Sequence, residues 1–289
     1  MAIAYAVDWS EALAALRTEV SRVVALLRSV DDTQGHAVGD WDLGGVAMHL
    51  SQAWIAVPAL ARRDLSPVFE VLPDRAGANG ESLIADVWDL GEMTTEAVGE
   101  DAERNPQVLA DRIEERAAGF FRECEGRKAD ERQPWMVAGT TVDLCTLTCH
   151  LLNETVVHGA DIARGAGRPW PADRRHAALV IQGFFLPVIA QLDARSLVDQ
   201  ERAAGVRATY EVRLRGAGRA HFVFDDGALT VAEPTGRRVD CYILADPVAM
   251  LDVMWGRQSQ WPAIATGKLL AWGRKPWLGP KLRLMMRNP

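Results

Sequence analysis

The chain has 289 residues and only four cysteines. So few thiols in a chain of this length do not make a disulfide framework, and a reducing compartment keeps them as thiols. Long apolar runs are also lacking. The most apolar stretch, residues 177–190, is interrupted by Gln182, Gly183 and Pro187, so it lacks the ~20 continuous apolar residues of a membrane-spanning helix. No membrane span is expected. The opening residues MAIAYAVDWSE lack the basic n-region and long apolar h-region of a signal peptide, and the expected location is cytoplasmic. An excess of positive charge is missing as well. Lys and Arg number 32 against 39 Asp and Glu, a net charge of -7, which argues against general nucleic-acid binding because neutralising phosphates needs a basic surface. Internal repeats and low-complexity tracts are absent. A hydrophobic fraction of 48% with 25% charged residues excludes disorder, collagen and coiled coil.

The charge that is present is unevenly spread. Residues 253–289 carry seven basic side chains (Arg257, Lys268, Arg274, Lys275, Lys281, Arg283, Arg287) and no Asp or Glu, so the preceding residues carry -14. Such a tail suits an anionic small molecule or a lipid headgroup, or forms a solvated positive face. At ~150 residues per domain, the length predicts about two domains.

Residues 1–170 read as helices. Asp8 followed by Glu11 has the form of a capping box, and Leu13, Leu16, Val20, Val23, Val24 and Leu27 fall on one face at helical spacing. Residues 31–40 read as a turn. Asp42 caps a second helix through His49 to about Arg62, with a kink expected at Pro58. A loop with Pro67, Pro73, Gly77 and Gly80 leads to a helical stretch over residues 81–100. Asn105 and Pro106 open the next helix as cap and first-turn proline. Thr140 or Thr141 opens a last helix that runs to about Arg164, and Gly165 and Gly167 end it.

Residues 171–289 read as α+β. A helix is expected over residues 174–194, bent by Pro187. After Gly205 the period changes to two: Tyr210, Val212 and Leu214 alternate with Glu211, Arg213 and Arg215, and Phe222 and Phe224 alternate with His221 and Val223, as strands do. Turns at Asp225-Asp226-Gly227 and around Pro234-Thr235-Gly236 separate short strands, and residues 239–244 form the next. Asp246-Pro247 caps a helix through Met254. A further strand follows near residues 269–272, and the segment from Pro276 is amphipathic. Helices first and a smaller unit with an antiparallel sheet second is the simplest architecture.

The chemistry concentrates on the last helix of the first part. Glu154 and His158 are four residues apart, so their side chains sit side by side; an ordinary i,i+4 polar contact has the same spacing. His49 lies in WDLGGVAMHL among Val46, Met48 and Leu50, where a buried imidazole needs a partner. Facing helices of a bundle are the usual source of metal ligands. Two imidazoles and a carboxylate leave a tetrahedral zinc one open position, the condition for metal catalysis as opposed to a closed structural site. Asp161 is three residues past His158 and is a candidate acceptor for its free ring N–H. His150, one turn before Glu154, is the substitute ligand should His49 not be one. Cys145 and Cys149 lie about 160° around the helix from Glu154 and read as packing residues. Trp41, Trp54 and Trp88 are candidates for lining a pocket, with core packing as the ordinary alternative.

The pattern WDLGGVAMHL, then ETVVHGADIARGAGRPW about a hundred residues on, resembles the mycothiol-dependent maleylpyruvate isomerase family, whose amino-terminal domain is a DinB-like four-helix bundle. The stretch ADPVAMLDVMWGRQSQWPAIATGKLLAWG is similar to the sterol-carrier-protein-like domain that often follows. Asp42 stands where family members commonly have Ser or Thr, a chemically equivalent cap. The resemblance implies zinc or another divalent metal on the matching His49, Glu154 and His158, and mycothiol as cofactor or co-substrate. A sulfur held by the metal is expected as thiolate near neutral pH. In an isomerase it adds to an activated double bond, permits rotation and leaves; with other small electrophiles the adduct remains, as in an S-transferase. The rival expectation is a non-enzymatic small-molecule or lipid carrier in which the metal is structural.

Overall fold

The structure is a computed structural model and describes residues 7–72 and 83–287. The chain divides into two compact units, Val7–Ala172 and the residues from Asp173 onward.

In the first unit, Asp8 accepts from the Ser10 and Glu11 amides and starts α1, Trp9–Arg28, whose inner face buries Leu16, Val20, Val23 and Leu27. A short hairpin follows, β1 (His36–Val38) and β2 (Trp41–Asp42), in the stretch expected to be a turn. Asp42 then caps α2, Leu43–Arg62, accepting from the Gly45 amide at 2.7 Å. Helix α2 continues through Pro58. Among the described residues it, and not residues 177–190, is the segment long and apolar enough to cross a membrane by length and composition, yet 83% of that window is buried.

Pro67 lies in the first turn of a short helix, α3 (Ser66–Val71), and not in a loop. Pro73, Gly77, Gly80 and the first two residues of the helix expected from residue 81 lie outside the described residues. That helix begins later than expected. Asp86 caps a single 3-10 turn, Val87–Asp89, and α4 covers Leu90–Glu100. Asn105 caps α5, Pro106–Glu123.

A second hairpin, β3 (Arg132–Pro134) with β4 (Thr141–Asp143), precedes α6, Leu144–Gly165. The expected start at Thr140 or Thr141 is therefore displaced. Thr141 pairs with Pro134 in the ladder, and Asp143 is the cap, accepting from Thr146. Helices α1, α2, α5 and α6 form the four-helix bundle, with α1 and α2 each packing on both α5 and α6.

Two devices set α2 against α6. The carbonyls of Gly35 and Thr33 take the first two amides of α2, those of Leu43 at 2.8 Å and Gly44 at 3.0 Å. Gly35 itself touches Gly165 so closely that a Cβ on it would strike the Gly165 carbonyl oxygen. The hairpin before α2 is thereby fixed on the end of α6, which sets the register of the two helices. From α5, Arg116 donates to the Ser51 carbonyl at 2.6 Å and hydroxyl at 2.7 Å, two residues past His49.

In the second unit, the helix expected over residues 174–194 is three pieces: α7 (Arg174–Val180), a π turn over Ile181–Phe185, and α8 (Leu186–Ile189). Pro187 has no amide to donate to Gly183, and the helix widens ahead of it. A four-residue helix, α9 (Gln200–Ala203), leads to the sheet. Its strands are β5 (Arg207–Leu214), β6 (Arg219–Asp225), β7 (Ala228–Ala232), β8 (Cys241–Ala245) and, after helices α10 (Pro247–Met254) and α11 (Gln260–Ala265), β9 (Leu269–Trp272). The order is β7-β6-β5-β8-β9, antiparallel except for the parallel pair β5–β8. One face carries Tyr210, Val212, Phe222, Phe224 and Ile243, all buried. Helix α12 (Gly279–Met285) closes the unit, burying Leu282 and Met285.

Candidate metal centre

His49 projects from α2, and Glu154 and His158 from successive turns of α6. Their ligating atoms form a small triangle. His49 Nε2 lies 3.3 Å from Glu154 Oε2 and 3.1 Å from His158 Nε2, and His158 Nε2 lies 3.3 Å from the same Oε2. The two imidazole rings meet edge to face at 87°. Ligands 2.0–2.2 Å from a tetrahedral ion stand about 3.4 Å from one another, so two nitrogens and an oxygen at these separations fit a divalent cation. The donor set, borderline nitrogen with one anionic oxygen, is that of zinc and its neighbours.

The carboxylate is held from behind. Glu154 Oε1, the oxygen turned away from the triangle, accepts from Asn153 Nδ2 at 3.1 Å and lies 3.4 Å from His150 Nε2. That leaves Oε2 directed at the two imidazoles. His158 is held in the same way: its Nδ1 is 3.3 Å from Asp161 Oδ2, and Asp161 Oδ1 accepts from Arg164 at 2.8 Å. Arg164 also donates to the Ala37 carbonyl of β1 at 3.1 Å, which ties this chain of contacts back to the hairpin that positions α2.

His49, Glu154, His158 and Asp161 are thus brought together. His150 reaches the opposite oxygen of Glu154 and not the face that the three share. Cys145 and Cys149 are free thiols; the Cys145 contact and then burial raise Cys149 well above the ordinary thiol range, so it is no ready thiolate ligand. Of the three tryptophans, Trp41 packs beside His49 with ring centroids 5.5 Å apart. Trp54 is core, against Phe120 and Phe121. Trp88 is half-buried in the 3-10 turn before α4. Asn153 and Arg164 were not anticipated. Residues one apart do not face each other along a helix, so spacing gives no sign that Asn153 turns to its neighbour's carboxylate.

Burial and charge act in opposition here. Burial favours the neutral acid at Glu154, but hydrogen bonds from His150, His158 and His49 hold it well below the ordinary carboxylate range. Burial disfavours charge on His158 too, yet Asp161 and Glu154 raise it to about 9. His49 is lowered, by burial and then by the charge of His158. Without a cation, Glu154 thus favours its carboxylate form, and of the two imidazoles His158 holds a proton more tightly than His49. His49 is the most accessible member, with 17% of its side chain exposed against 9% for Glu154 and 8% for His158, so the open side of the triangle lies at His49 and Trp41.

A helical bundle with an internal His-Glu-His cluster, followed by a mixed sheet backed by short helices, defines the class of the protein. The family model of the mycothiol maleylpyruvate isomerase N-terminal domain matches residues 13–163, just over half of the chain, and that of the SCP-2 sterol transfer family matches residues 189–273. The chain belongs to the mycothiol maleylpyruvate isomerase N-terminal domain family. Among solved structures, a mycothiol-dependent maleylpyruvate isomerase is 15% identical, with 92% of this chain and 93% of that chain covered and a TM-score of 0.48. A UbiJ-SCP2 ubiquinone synthesis protein is 17% identical, with 29% and 71% covered and a TM-score of 0.25. No curated protein matches the chain.

Proposed function

We propose that the protein is a divalent-metal- and mycothiol-dependent enzyme, acting on a small electrophile as a cis-trans isomerase of the maleylpyruvate type. The observation that carries this reading is the convergence of two imidazole nitrogens and one carboxylate oxygen within 3.3 Å of one another. Family membership supports the choice of thiol. His49, Glu154 and His158 would hold the ion, preferably zinc, through Nε2, Oε2 and Nε2. A bound divalent ion supplies Lewis acidity that keeps a thiol sulfur in its nucleophilic thiolate form near neutral pH.

The chain's own residues prepare that chemistry. Asp161 fixes the His158 ring so that Nε2, and not Nδ1, faces the cluster. Asn153 and His150 occupy one oxygen of Glu154 and leave the other as a single ligand atom. Glu154 and His158 are buried in α6, and Trp41 offers an apolar surface beside the more exposed His49 for the carbon skeleton of thiol or substrate. If the electrophile has no double bond to rotate, the same site performs S-transfer, with the thiol adduct as product.

The test is metal and thiol titration of the full chain. Purified protein is expected to hold about one equivalent of divalent metal, and His49→Ala to lose it. Mycothiol is expected to raise the melting temperature of the metal-loaded form only. Full metal occupancy in His49→Ala, or a thermal shift that survives chelation, contradicts the reading. The cleft of the second unit between Ile181, Leu186, Val212, Phe222, Met250 and Met254, with Arg219 at its edge, has a volume of about 10 Å³, space for about one water, and so does not favour the rival carrier reading. Co-purifying long-chain lipid with no metal bound would decide for it.

A further inference from the structure

The second unit exposes large apolar side chains that play no part in the metal cluster. Trp261 is 58% exposed, Trp277 62% and Leu284 42%. They belong to neighbouring elements. Gln260, at the start of α11, donates to the Pro280 carbonyl of α12 at 3.2 Å, which places Trp261 next to the first turn of α12. Trp277 enters α12 through a 3-10 turn, Pro276–Leu278. Trp277, Pro280, Lys281 and Leu284 then follow at i, i+3, i+4 and i+7, one stripe of a helix, while Leu278, Leu282 and Met285 take the buried side.

Positive charge predominates in the segment that carries this stripe, while α9, capped by Asp199 and bearing Glu201, packs against α12 from the other side. Residues 253–287 contain seven Lys and Arg and no acid. Arg274 and Lys275 are engaged by Asp240; Lys268 and Lys281 are exposed, and Lys281 lies in the apolar stripe itself. The segment from residue 274 lies beyond both family matches.

We propose that the Trp261, Trp277 and Leu284 face of α11 and α12 docks on an anionic lipid surface. Tryptophan is the side chain best suited to the headgroup boundary, since its ring is apolar and its N–H stays hydrated. Exposed lysine and arginine beside it add attraction to acidic headgroups, and neither component alone is strong. A second copy of the chain is a poorer occupant, because it would set one positive face against another. The attachment is peripheral and leaves α2 in the bundle core.

Flotation of the full chain with vesicles tests this, using phosphatidylcholine alone or mixed equally with phosphatidylglycerol. The protein is expected to float with the mixed vesicles only, and to be released by high salt. Lys281→Ala is expected to weaken partitioning by about fivefold. Trp261→Ala with Trp277→Ala is expected to weaken it by roughly tenfold or more, with an unchanged thermal melt because both rings are exposed. Lipids brominated near the headgroup should quench tryptophan emission in the parent chain and not in the double variant. Failure to float, equal binding to neutral vesicles, or full binding by the double variant overturns the proposal. So does a dimer that the double variant dissolves while no vesicle binding is seen. Metal content plays no part in the readout, so this outcome is independent of the metal-site reading.

Discussion

His158 Nδ1 and Asp161 Oδ2 lie 3.3 Å apart, one turn along α6, with Asp161 wholly buried and its second oxygen on Arg164. A carboxylate in this position sets which ring nitrogen carries the proton and aims the other outward. Asp161→Asn preserves shape and removes the charge. Metal affinity is expected to fall by roughly 10–100-fold, measured by competition with a chelating dye, while helix content stays the same. Unchanged affinity would show that the contact merely fills the helix interior.

The same contact makes metal binding pH-dependent. Asp161 and Glu154 together raise His158 to about 9 against the effect of burial, so near neutral pH the cation must displace a proton from the very nitrogen it needs. Affinity is therefore expected to rise as pH rises, by up to tenfold per unit for one proton, and to level off above about 9. His49 is already lowered by burial and adds little to this slope at neutral pH. Calorimetric titration in buffers of different ionisation enthalpy counts the released protons. A flat profile between pH 7 and 9 would refute the assignment of that proton to His158.

The parts of this fold that were legible in the sequence are those with long periods or strong caps. Asp8 with the Leu16, Val20 and Val23 stripe announces α1, and the alternation around Tyr210 and Phe222 announces β5 and β6. The hairpins β1–β2 and β3–β4 are too short for any period to show. Thr141 therefore reads as a helix start when it is a strand residue. Among site residues, Glu154 and His158 share an i,i+4 spacing that an ordinary polar contact also has, His49 joins them through the family pattern, and the structure brings their atoms together. Asn153 and Arg164 act through rotamers and a hairpin contact that no linear spacing encodes.

Close packing beside the site yields a further expectation. A Cβ on Gly159 would lie 2.8 Å from Val23 Cγ2 and 2.9 Å from the Trp170 ring, and Val23 is fully buried. Gly159→Ala gains about 1 kcal/mol of helix propensity but overpacks the α1–α6 seam, at about 1–3 kcal/mol. The net loss is expected to be about 1 kcal/mol, a fall of roughly 2–4 °C in Tm. A raised Tm would mean that α1 and Trp170 yield without cost.

In the sheet, Glu211 and His221 are register partners on β5 and β6, both buried, with Oε2 to Nε2 at 3.1 Å. Glu211 Oε1 also accepts from Arg213 at 2.6 Å and Arg219 at 3.3 Å. Burial works to raise the carboxyl, but Arg213 and His221 hold it below its ordinary value. A depressed acid stabilises the folded state fully above its unfolded pKa, and that contribution disappears as pH falls through the folded value. Glu211→Gln is expected to flatten the acid limb of a stability profile measured by urea unfolding between pH 3 and 7. Glu211→Ala leaves the buried His221 ring without this hydrogen-bond partner and is expected to cost about 1–3 kcal/mol near neutral pH. A variant as stable as the parent would mean that water replaces the carboxylate between the two strands, and that the pair sets the register of β5 and β6 without holding them together.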